Sequence, residues 1–390
     1  MKKILLVGKS FNIGGIQSSM INLIQVLKGK YQIDVLVYSN DGPLKKHLPP
    51  DINFIQGGYL LNLFGQAQKD LLRKHRYIDF FVRFLFGIWT KIFNNDFPLA
   101  LAFRQVNINK EYDVAIAYHH EDKKTTLVSG FYRLIINRIK AKRKYGWIHY
   151  VPGTISFNDK FIEPYCKQLD GIVCVSKSLA EIFKEKHPHI ASKVLSCYNF
   201  VNTEEIKFKS NNDTNIIVDK SCFNLISACR FDPVKGLPRA INAIADLFVK
   251  YPTLRWYIAG DGIERPAVTE LIKKNKLEDK IILLGTLSNP YPYIKQADLY
   301  FQVSISEAAP MVYGEAKSLH IPIFTTRTTS ADELVGNKWG IVCNNTSEGI
   351  HDSLDKLLTS DRYQLLHDMI HKLDYDVNTE SILFFEKIVS

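Results

Sequence analysis

Residues 2–39 read KKILLVGKSFNIGGIQSSMINLIQVLKGKYQIDVLVYS and contain the pattern that decides the fold. A short apolar run, residues 4–7, leads into a glycine-containing turn, and residues 16–27 then repeat apolar side chains at helical spacing. The next apolar run, residues 33–38, predicts a second strand. A strand, a helix and a strand in this order form a β-α-β unit, which favours an α/β domain with a parallel sheet.

The same alternation continues through the first half of the chain, with one interruption. Further strands are predicted at YDVAIAYH, KYGWIHYV and DGIVCVS, which occupy residues 112–119, 144–151 and 170–176. Residues 59–106 do not fit the alternation, and we expect a helical insertion there.

A second series of strands follows a polar stretch at residues 207–221, which we interpret as an interdomain linker or an exposed hairpin. Its predicted strands are FNLISACR, LRWYIAG, KIILLG, DLYFQVS and PIFTT. At 390 residues the chain is too long for one ordinary core. We therefore predict two Rossmann-like, doubly wound domains that face each other across a cleft, where open α/β sheets bind ligands. The predicted ranges are 1–205, 206–375 and a closing segment, 376–390, that returns to the first domain.

The apolar runs, the start of the chain and the cysteine spacing disfavour several classes of protein. The apolar runs are too short for a transmembrane helix, and the start of the chain reaches Gly and Asn too early for a signal peptide. The six cysteines show no CxxC spacing and favour core thiols over disulfides or zinc ligands.

The net charge of +10 is unevenly distributed. Residues 123–144 contain eight Lys or Arg and no acidic residue, and the 59–106 segment mixes basic residues with Phe, Tyr, Ile and Trp. This pattern favours peripheral binding to an anionic membrane surface, at the cytoplasmic face of the cell membrane. The alternative is a packed domain whose charges are simply solvated. Nucleic-acid binding is disfavoured because no recognition motif accompanies the charge.

Four charged residues in the second half form the candidate site. In SISEAAPMVYGEA, residues 304–316, Glu307 and Glu315 stand eight residues apart after a predicted strand. Arg230 and Lys235 follow an earlier strand in ISACRFDPVKG. Fixed cations can stabilise a departing diphosphate, and a carboxylate can accept hydrogen bonds from two sugar hydroxyls.

In this order, these segments resemble the C-terminal half of GT-B glycosyltransferases, specifically the retaining family 4 type, also called glycosyl transferases group 1. The resemblance is close over residues 223–345 and looser in the N-terminal half. It implies that Glu307 contacts the donor sugar and that Glu315 binds both ribose hydroxyls. It also implies that Arg230 and Lys235 stabilise the leaving nucleoside diphosphate, so that no metal and no further cofactor is needed. The spacing of the metal-binding DxD motif is found at Asp374 and Asp376, in the tail.

The remaining binding residues also come from the resemblance. Backbone groups at Thr286 and Leu287 would cradle the base, and those around Met311 and Val312 would reach the sugar. In the first half, Gly14 and Gly15 would face the diphosphate, and His149 would hydrogen-bond a sugar hydroxyl. From their position alone, and not from the resemblance, His119 and His120 at the end of another predicted strand are candidates for the acceptor side. The chain departs from the family at Ala308, where Gly usually follows the first Glu, which raises the question of altered loop dihedrals or donor preference.

The implied function is retaining transfer of a hexose or N-acetylhexosamine from a nucleotide sugar to a membrane-associated glycolipid or polysaccharide precursor. A UDP sugar is favoured because UDP is the commonest donor in the family, with GDP next. Two alternatives stay open: a non-catalytic GT-B accessory subunit of a membrane glycosyltransferase, and a nucleotide-sugar epimerase on the same architecture.

Overall fold

A computed structural model describes residues 1–121, 123–152, 159–212, 218–373 and 375–390. The chain divides into two compact units. The first comprises Met1–Phe200 together with Asn378–Ser390, and the second comprises Val201–Val377.

The first unit is built on a parallel sheet whose strand order is β3-β2-β1-β4-β5-β6-β7. Side chains of the central strands are buried on both faces, as helices cover both faces of a parallel sheet. The strands are β1 (Lys3–Gly8), β2 (Gln32–Val37), β3 (Asn53–Ile55), β4 (Glu111–Ala117), β5 (Lys140–Ile148), β6 (Gly171–Cys174) and β7 (Val194–Ser196).

Helices connect these strands, and four of them form the predicted insertion. Residues 43–47 and 188–193 are short 3₁₀ turns. The helices are α1 (Gly15–Val26), α2 (Tyr59–Gly65), α3 (Gln68–Arg73), α4 (Tyr77–Ile92), α5 (Asp96–Arg104), α6 (Phe131–Arg138), α7 (Asp159–Cys166) and α8 (Lys177–Lys186).

The second unit contains a six-stranded sheet in the order β10-β9-β8-β11-β12-β13, and its paired strands are parallel. Large apolar side chains, including Trp256, Phe301 and Phe324, fill the space between one sheet face and its helices. The strands are β8 (Phe223–Ala228), β9 (Leu254–Ala259), β10 (Ile281–Gly285), β11 (Leu299–Gln302), β12 (Ile323–Thr326) and β13 (Gly340–Cys343).

A turn at residues 245–246 separates two consecutive helices of the second unit. Residues 233–235 are a 3₁₀ turn. The helices are α9 (Thr203–Lys209), α10 (Leu237–Ile244), α11 (Leu247–Lys250), α12 (Arg265–Lys274), α13 (Tyr291–Gln296), α14 (Met311–Ser318), α15 (Ala331–Leu334), α16 (Gly336–Trp339), α17 (Ser347–Thr359) and α18 (Arg362–His371).

The last helix, α19 (Thr379–Val389), belongs to the first unit, where the Ser381 hydroxyl donates to the Tyr198 carbonyl at 3.0 Å. The polar stretch at 207–221 is not where the units divide, because the division falls at Phe200 and α9 runs into that stretch. No helix in the described ranges is both long enough and apolar enough to cross a bilayer.

Candidate functional site

In the second sheet the strand order reverses between β8 and β11, so the chain leaves these neighbouring strands in opposite directions. Such a switch point is where open α/β sheets bind ligands, at the carboxyl ends of the strands. Arg230 and Lys235 follow β8, and Glu307 and Glu315 follow β11. All four predicted residues therefore lie beyond the carboxyl ends of the two strands that flank the reversal.

Glu307 is held by one of its two carboxylate oxygens. Lys235 Nζ, Gln302 Nε2 and Ser304 Oγ donate to Oε1 at 2.5, 3.0 and 2.8 Å. Among the described residues, none donates a hydrogen bond to Oε2. Charge-assisted bonds of this kind fix the orientation of the carboxylate and leave its second oxygen for a ligand. The Gln302 and Ser304 contributions were not predicted from the sequence.

The loops after β8 and β11 approach each other closely at Gly236. This residue has a φ of 67°, and a Cβ built on it would lie 2.7 Å from the Val303 carbonyl oxygen. The Ile305 N–H donates to the Val234 carbonyl at 2.7 Å and ties the same two loops together. Only glycine combines this backbone angle with so close an approach, so Gly236 keeps Lys235 within reach of Glu307.

Arg230 is the more exposed of the two cations, with 74% of its side chain accessible, and it pairs with Asp232. The loop that carries it packs against the glycine-rich loop after β9. Gly260 has a φ of 138°, and a Cβ there would lie 1.8 Å from the Cys229 carbonyl oxygen. The G-D-G sequence after β9, residues 260–262, is the local signal for this close approach.

Glu315 differs from Glu307 in its surroundings. It lies in the second turn of α14, which begins at Met311. Its closest hydrogen-bond donor is the Tyr291 hydroxyl, at 3.5 Å from Oε1. Desolvation raises the pKa of Glu315 to about 7, and no described cation lies within ion-pair distance. This carboxylate is therefore half-buried and available to hydroxyl donors.

The other predicted residues of the second unit lie on the same edge of the sheet. Met311 and Val312 form the first turn of α14, and Thr286 and Leu287 directly follow β10. Thr286 is exposed, and Leu287 packs on the core. Ala308 takes a negative φ, so the methyl group that replaces the family's glycine needs no left-handed backbone.

The first sheet has its own reversal, between β1 and β4. Gly14 and Gly15 lie beyond β1, and Gly15 is the first residue of α1. Gly14 is extended, with a φ of 175°, and a Cβ there would meet only the flexible end of Gln17 within 3 Å. The backbone N–H groups that open α1 are suited to an anion.

Three histidines lie at the carboxyl ends of β4 and β5. His149 donates from Nε2 to the Tyr118 carbonyl at 2.9 Å, so its Nδ1 is an acceptor in the neutral ring. Burial lowers the pKa of His149 to about 3 and that of His119 to about 4. His120 Nδ1 is buried without a hydrogen-bond partner in the described part of the chain. His149 can thus hydrogen-bond a ligand through one nitrogen only.

Glu121, the next residue, has a structural role. Its buried carboxylate accepts hydrogen bonds from the Ser129 hydroxyl at 2.8 Å and from the Tyr132 N–H at 2.6 Å, and so caps α6. In the first turn of α6, Arg133 donates to Asp96 at 2.6 Å and to Asn95 at 2.9 Å. These bonds connect the helical insertion to the edge of the sheet that carries the histidines.

Comparisons with known proteins agree with this architecture. Residues 208–373 match the family described as Glycosyl transferases group 1. An uncharacterized glycosyltransferase of Methanocaldococcus jannaschii is 26% identical over 167 residues, which is 42% of this chain and 41% of that protein. The alpha-monoglucosyldiacylglycerol synthase of Acholeplasma laidlawii is 29% identical over 129 residues, 32% of each chain. The chain thus spans less than half the length of these curated relatives.

The likeness to solved structures covers both units. The crystal structure of Anabaena HepE in complex with UDP and glucose has a TM-score of 0.67 at 15% identity, over 100% of this chain and 99% of that one. At this identity the likeness shows the fold alone, and the predicted GT-B α/β fold is confirmed. The residues that match Glycosyl transferases group 1 all lie within the second unit. Of the tail pair, Asp374 lies outside the described residues.

Proposed function

We propose that this protein is a retaining glycosyltransferase that moves a hexose or N-acetylhexosamine from a nucleotide sugar to a membrane-associated glycolipid or polysaccharide precursor. The observation that carries the proposal is the Lys235–Glu307 pair at the switch point of the second sheet. Its carboxylate is fixed through Oε1 and keeps Oε2 for a ligand. The match of residues 208–373 to a glycosyltransferase family supports it.

The donor binds along the carboxyl edge of the second sheet in this proposal. Glu307 Oε2 accepts from hydroxyls of the donor sugar, and Glu315 accepts from both ribose hydroxyls. Thr286 and Leu287 offer backbone groups to the base. UDP is the proposed nucleotide, supported by the UDP in the Anabaena HepE crystal structure.

Arg230 and Lys235 act on the leaving group. As the glycosidic bond breaks, negative charge accumulates on the departing diphosphate, and fixed cations stabilise that charge more than the ground state. Lys235 gives one hydrogen bond to Glu307, and its ammonium group has two further N–H donors for a phosphate oxygen. The leaving diphosphate takes the proton of the acceptor hydroxyl, and attack from the same face retains the anomeric configuration. No metal or further cofactor is part of the proposal.

The first unit is assigned to the acceptor. The resemblance further assigns the Gly14–Gly15 loop to the donor diphosphate and His149 to a sugar hydroxyl, which a neutral ring can contact through Nδ1. The proposed acceptor is lipid-linked and lies at the cytoplasmic membrane face; the diacylglycerol in the name of the Acholeplasma relative supports its lipid part.

The test is donor turnover by the purified chain. A panel of UDP and GDP sugars is offered with detergent-solubilised bacterial lipid, and products are identified by mass spectrometry. Transfer or slow hydrolysis of one donor, lost in Glu307→Gln and kept in the surface control Glu348→Gln, is the expected result. Absence of both turnover and nucleotide binding would contradict the proposal and favour the accessory subunit.

A further inference from the structure

Helix α4 presents an apolar face to solvent. Exposed large hydrophobic side chains are concentrated between residues 77 and 97: Tyr77, Ile78, Phe81, Phe84, Leu85, Ile88, Trp89, Ile92, Phe93 and Phe97. Within α4 they recur every three or four residues, so they lie along one side of the helix. A contiguous exposed apolar surface of this kind marks an interaction site.

The opposite side of α4 is fixed to the first unit. The ring of Phe86 packs edge-on against Phe64, with centroids 5.3 Å apart. Arg83 donates to Gln68 Oε1 at 2.9 Å, and the Thr90 hydroxyl donates to the Thr125 carbonyl at 3.1 Å. Arg83 and Thr90 therefore bind the rest of the first unit, and turning the apolar face inward would break these bonds.

The charges around this surface distinguish between two kinds of partner, a second copy of the chain and an anionic lipid surface. Residues 68–97 contain six Lys or Arg and three Asp, and Lys91 is exposed on α4 itself. In a symmetric dimer through this face, the excess positive charge of one copy would meet the same charge of the other. Anionic lipid headgroups would instead offer charge of the opposite sign.

The size and composition of the face also fit a bilayer surface. At 16 residues, α4 is roughly 24 Å long. It is thus too short to span a hydrocarbon core and suited to lie in its plane. Trp89 packs on Phe93 and Phe97, at centroid distances of 4.7 and 5.2 Å, and aromatic rings favour the boundary between headgroups and acyl chains.

We propose that α4 docks on an anionic lipid bilayer, with its Ile78–Ile92 face at the acyl boundary and its basic neighbours among the headgroups. The inference deepens the proposed function, on which it rests for the choice of lipid as partner, and it identifies the docking element. Because binding to lipid needs neither donor nor acceptor, it is measured separately from transfer.

Trp89 gives a direct readout. It is 40% exposed, whereas Trp147, Trp256 and Trp339 are at most 6% exposed. The full chain is mixed with vesicles of phosphatidylcholine alone or with an equal part of phosphatidylglycerol, and emission and flotation are recorded. We expect a blue shift and co-flotation that are stronger with phosphatidylglycerol and weaker at high salt.

A matched pair of substitutions locates the surface. Ile78 and Val249 are each 79% exposed, on α4 and on α11 of the second unit. Ile78→Glu should weaken vesicle binding roughly tenfold or more, since an inserted isoleucine becomes a charge. Val249→Glu should leave binding unchanged, and circular dichroism checks that both variants fold.

Two outcomes would overturn the proposal. One is the absence of both blue shift and flotation with either vesicle. The other is a lipid-free dimer, seen by sedimentation, that Ile78→Glu dissociates while vesicle binding stays absent; this result would assign the face to a second copy. In either case, transfer to an acceptor in detergent would leave the proposed function standing.

Discussion

The carboxyl ends of the strands carry uncharged side chains in the first sheet, here called the first edge, and charged side chains in the second sheet, the second edge. The first edge carries three histidines, and burial lowers the pKa of each, so that the rings are neutral. The second edge carries a lysine–carboxylate pair and a second, half-buried carboxylate. Two sheets with the same kind of strand reversal thus carry different side chains there, and the proposed function assigns hydroxyl groups to the neutral histidines of the first and a diphosphate with sugar hydroxyls to the charged residues of the second.

The largest expected effect comes from removing charge at the second edge. Lys235→Ala should lower kcat by about 10²–10³, because it removes a fixed cation aimed at the leaving group. The control is Lys250→Ala, which removes a similar ion pair, 2.7 Å from Asp355, on the surface of the same unit. Steady-state kinetics with the preferred donor measures both, and a Lys235→Ala enzyme with more than a tenth of normal kcat would falsify the assigned role.

The buried histidines of the first unit should make its stability depend on pH. The unfolded chain protonates His119 and His149 near pH 6.5, whereas the folded rings stay neutral to about pH 4 and 3. The first unit should therefore lose stability as pH falls below 6.5, on the order of 6 kcal/mol by pH 4, because each pKa is lowered by about 2.5 or more and one pKa unit is worth about 1.4 kcal/mol. Hydrogen exchange at β4 amides measures this loss.

At the second edge, the contribution of Glu315 to stability should change with pH in the opposite direction. The folded pKa of Glu315 is about 7, above the ordinary value of 4.5, so the folded carboxyl binds a proton first as pH falls. The contribution of Glu315 to stability therefore rises between pH 7 and 4.5 and is unfavourable above pH 7. Hydrogen exchange at α14 amides, compared with Glu315→Gln, measures it. A Glu315→Gln variant that is no more stable than the natural chain at pH 8 would contradict the burial of this charge.

A smaller effect is expected on donor affinity. Glu315→Gln should weaken nucleotide-sugar binding about tenfold, because a neutral amide oxygen is a weaker acceptor for two ribose hydroxyls than a carboxylate. In the natural chain, affinity should also fall as pH drops below 7, where Glu315 gains a proton. Calorimetry of the nucleotide checks both effects, with the exposed Glu348→Gln as the control. Equal nucleotide-sugar affinity in the two variants would show that Glu315 does not bind the donor.

The smallest effect is expected at Ala308. Because this residue already has a negative φ, Ala308→Gly should change the ratio of kcat/KM between two donors by less than about twofold. A larger change in that ratio would mean that the methyl group itself selects the donor.

Much of the fold could be predicted because its signals are local. The apolar runs of β1, β4, β8 and β11 and the helical spacing of α1 are visible in short windows of sequence, and so is the helical insertion. The four charged residues of the second edge were predicted from the strands they follow and from the family resemblance. Their common role in binding stays a prediction.

The rest depends on contacts between distant residues. The bond between His149 and the Tyr118 carbonyl requires the register in which Ala117 pairs with Gly146 across β4 and β5, and a short window does not contain that register. Gln302 and Ser304 look like ordinary strand residues until the loop after β11 folds back and brings Glu307 onto them. Gly236 likewise looks like a plain helix start, and only the nearby Val303 carbonyl shows why a side chain is excluded there.

The bonds of Arg133 limit how this protein can be re-engineered. Arg133 is 7% exposed, and its guanidinium donates hydrogen bonds to Asp96 and Asn95, which belong to the helical insertion. A chimera that exchanges residues 59–106 for those of another enzyme would strip a buried cation of these partners, at a cost of several kcal/mol. The insertion is therefore not an interchangeable module, and a transplant must either preserve Asn95 and Asp96 or redesign Arg133 with it.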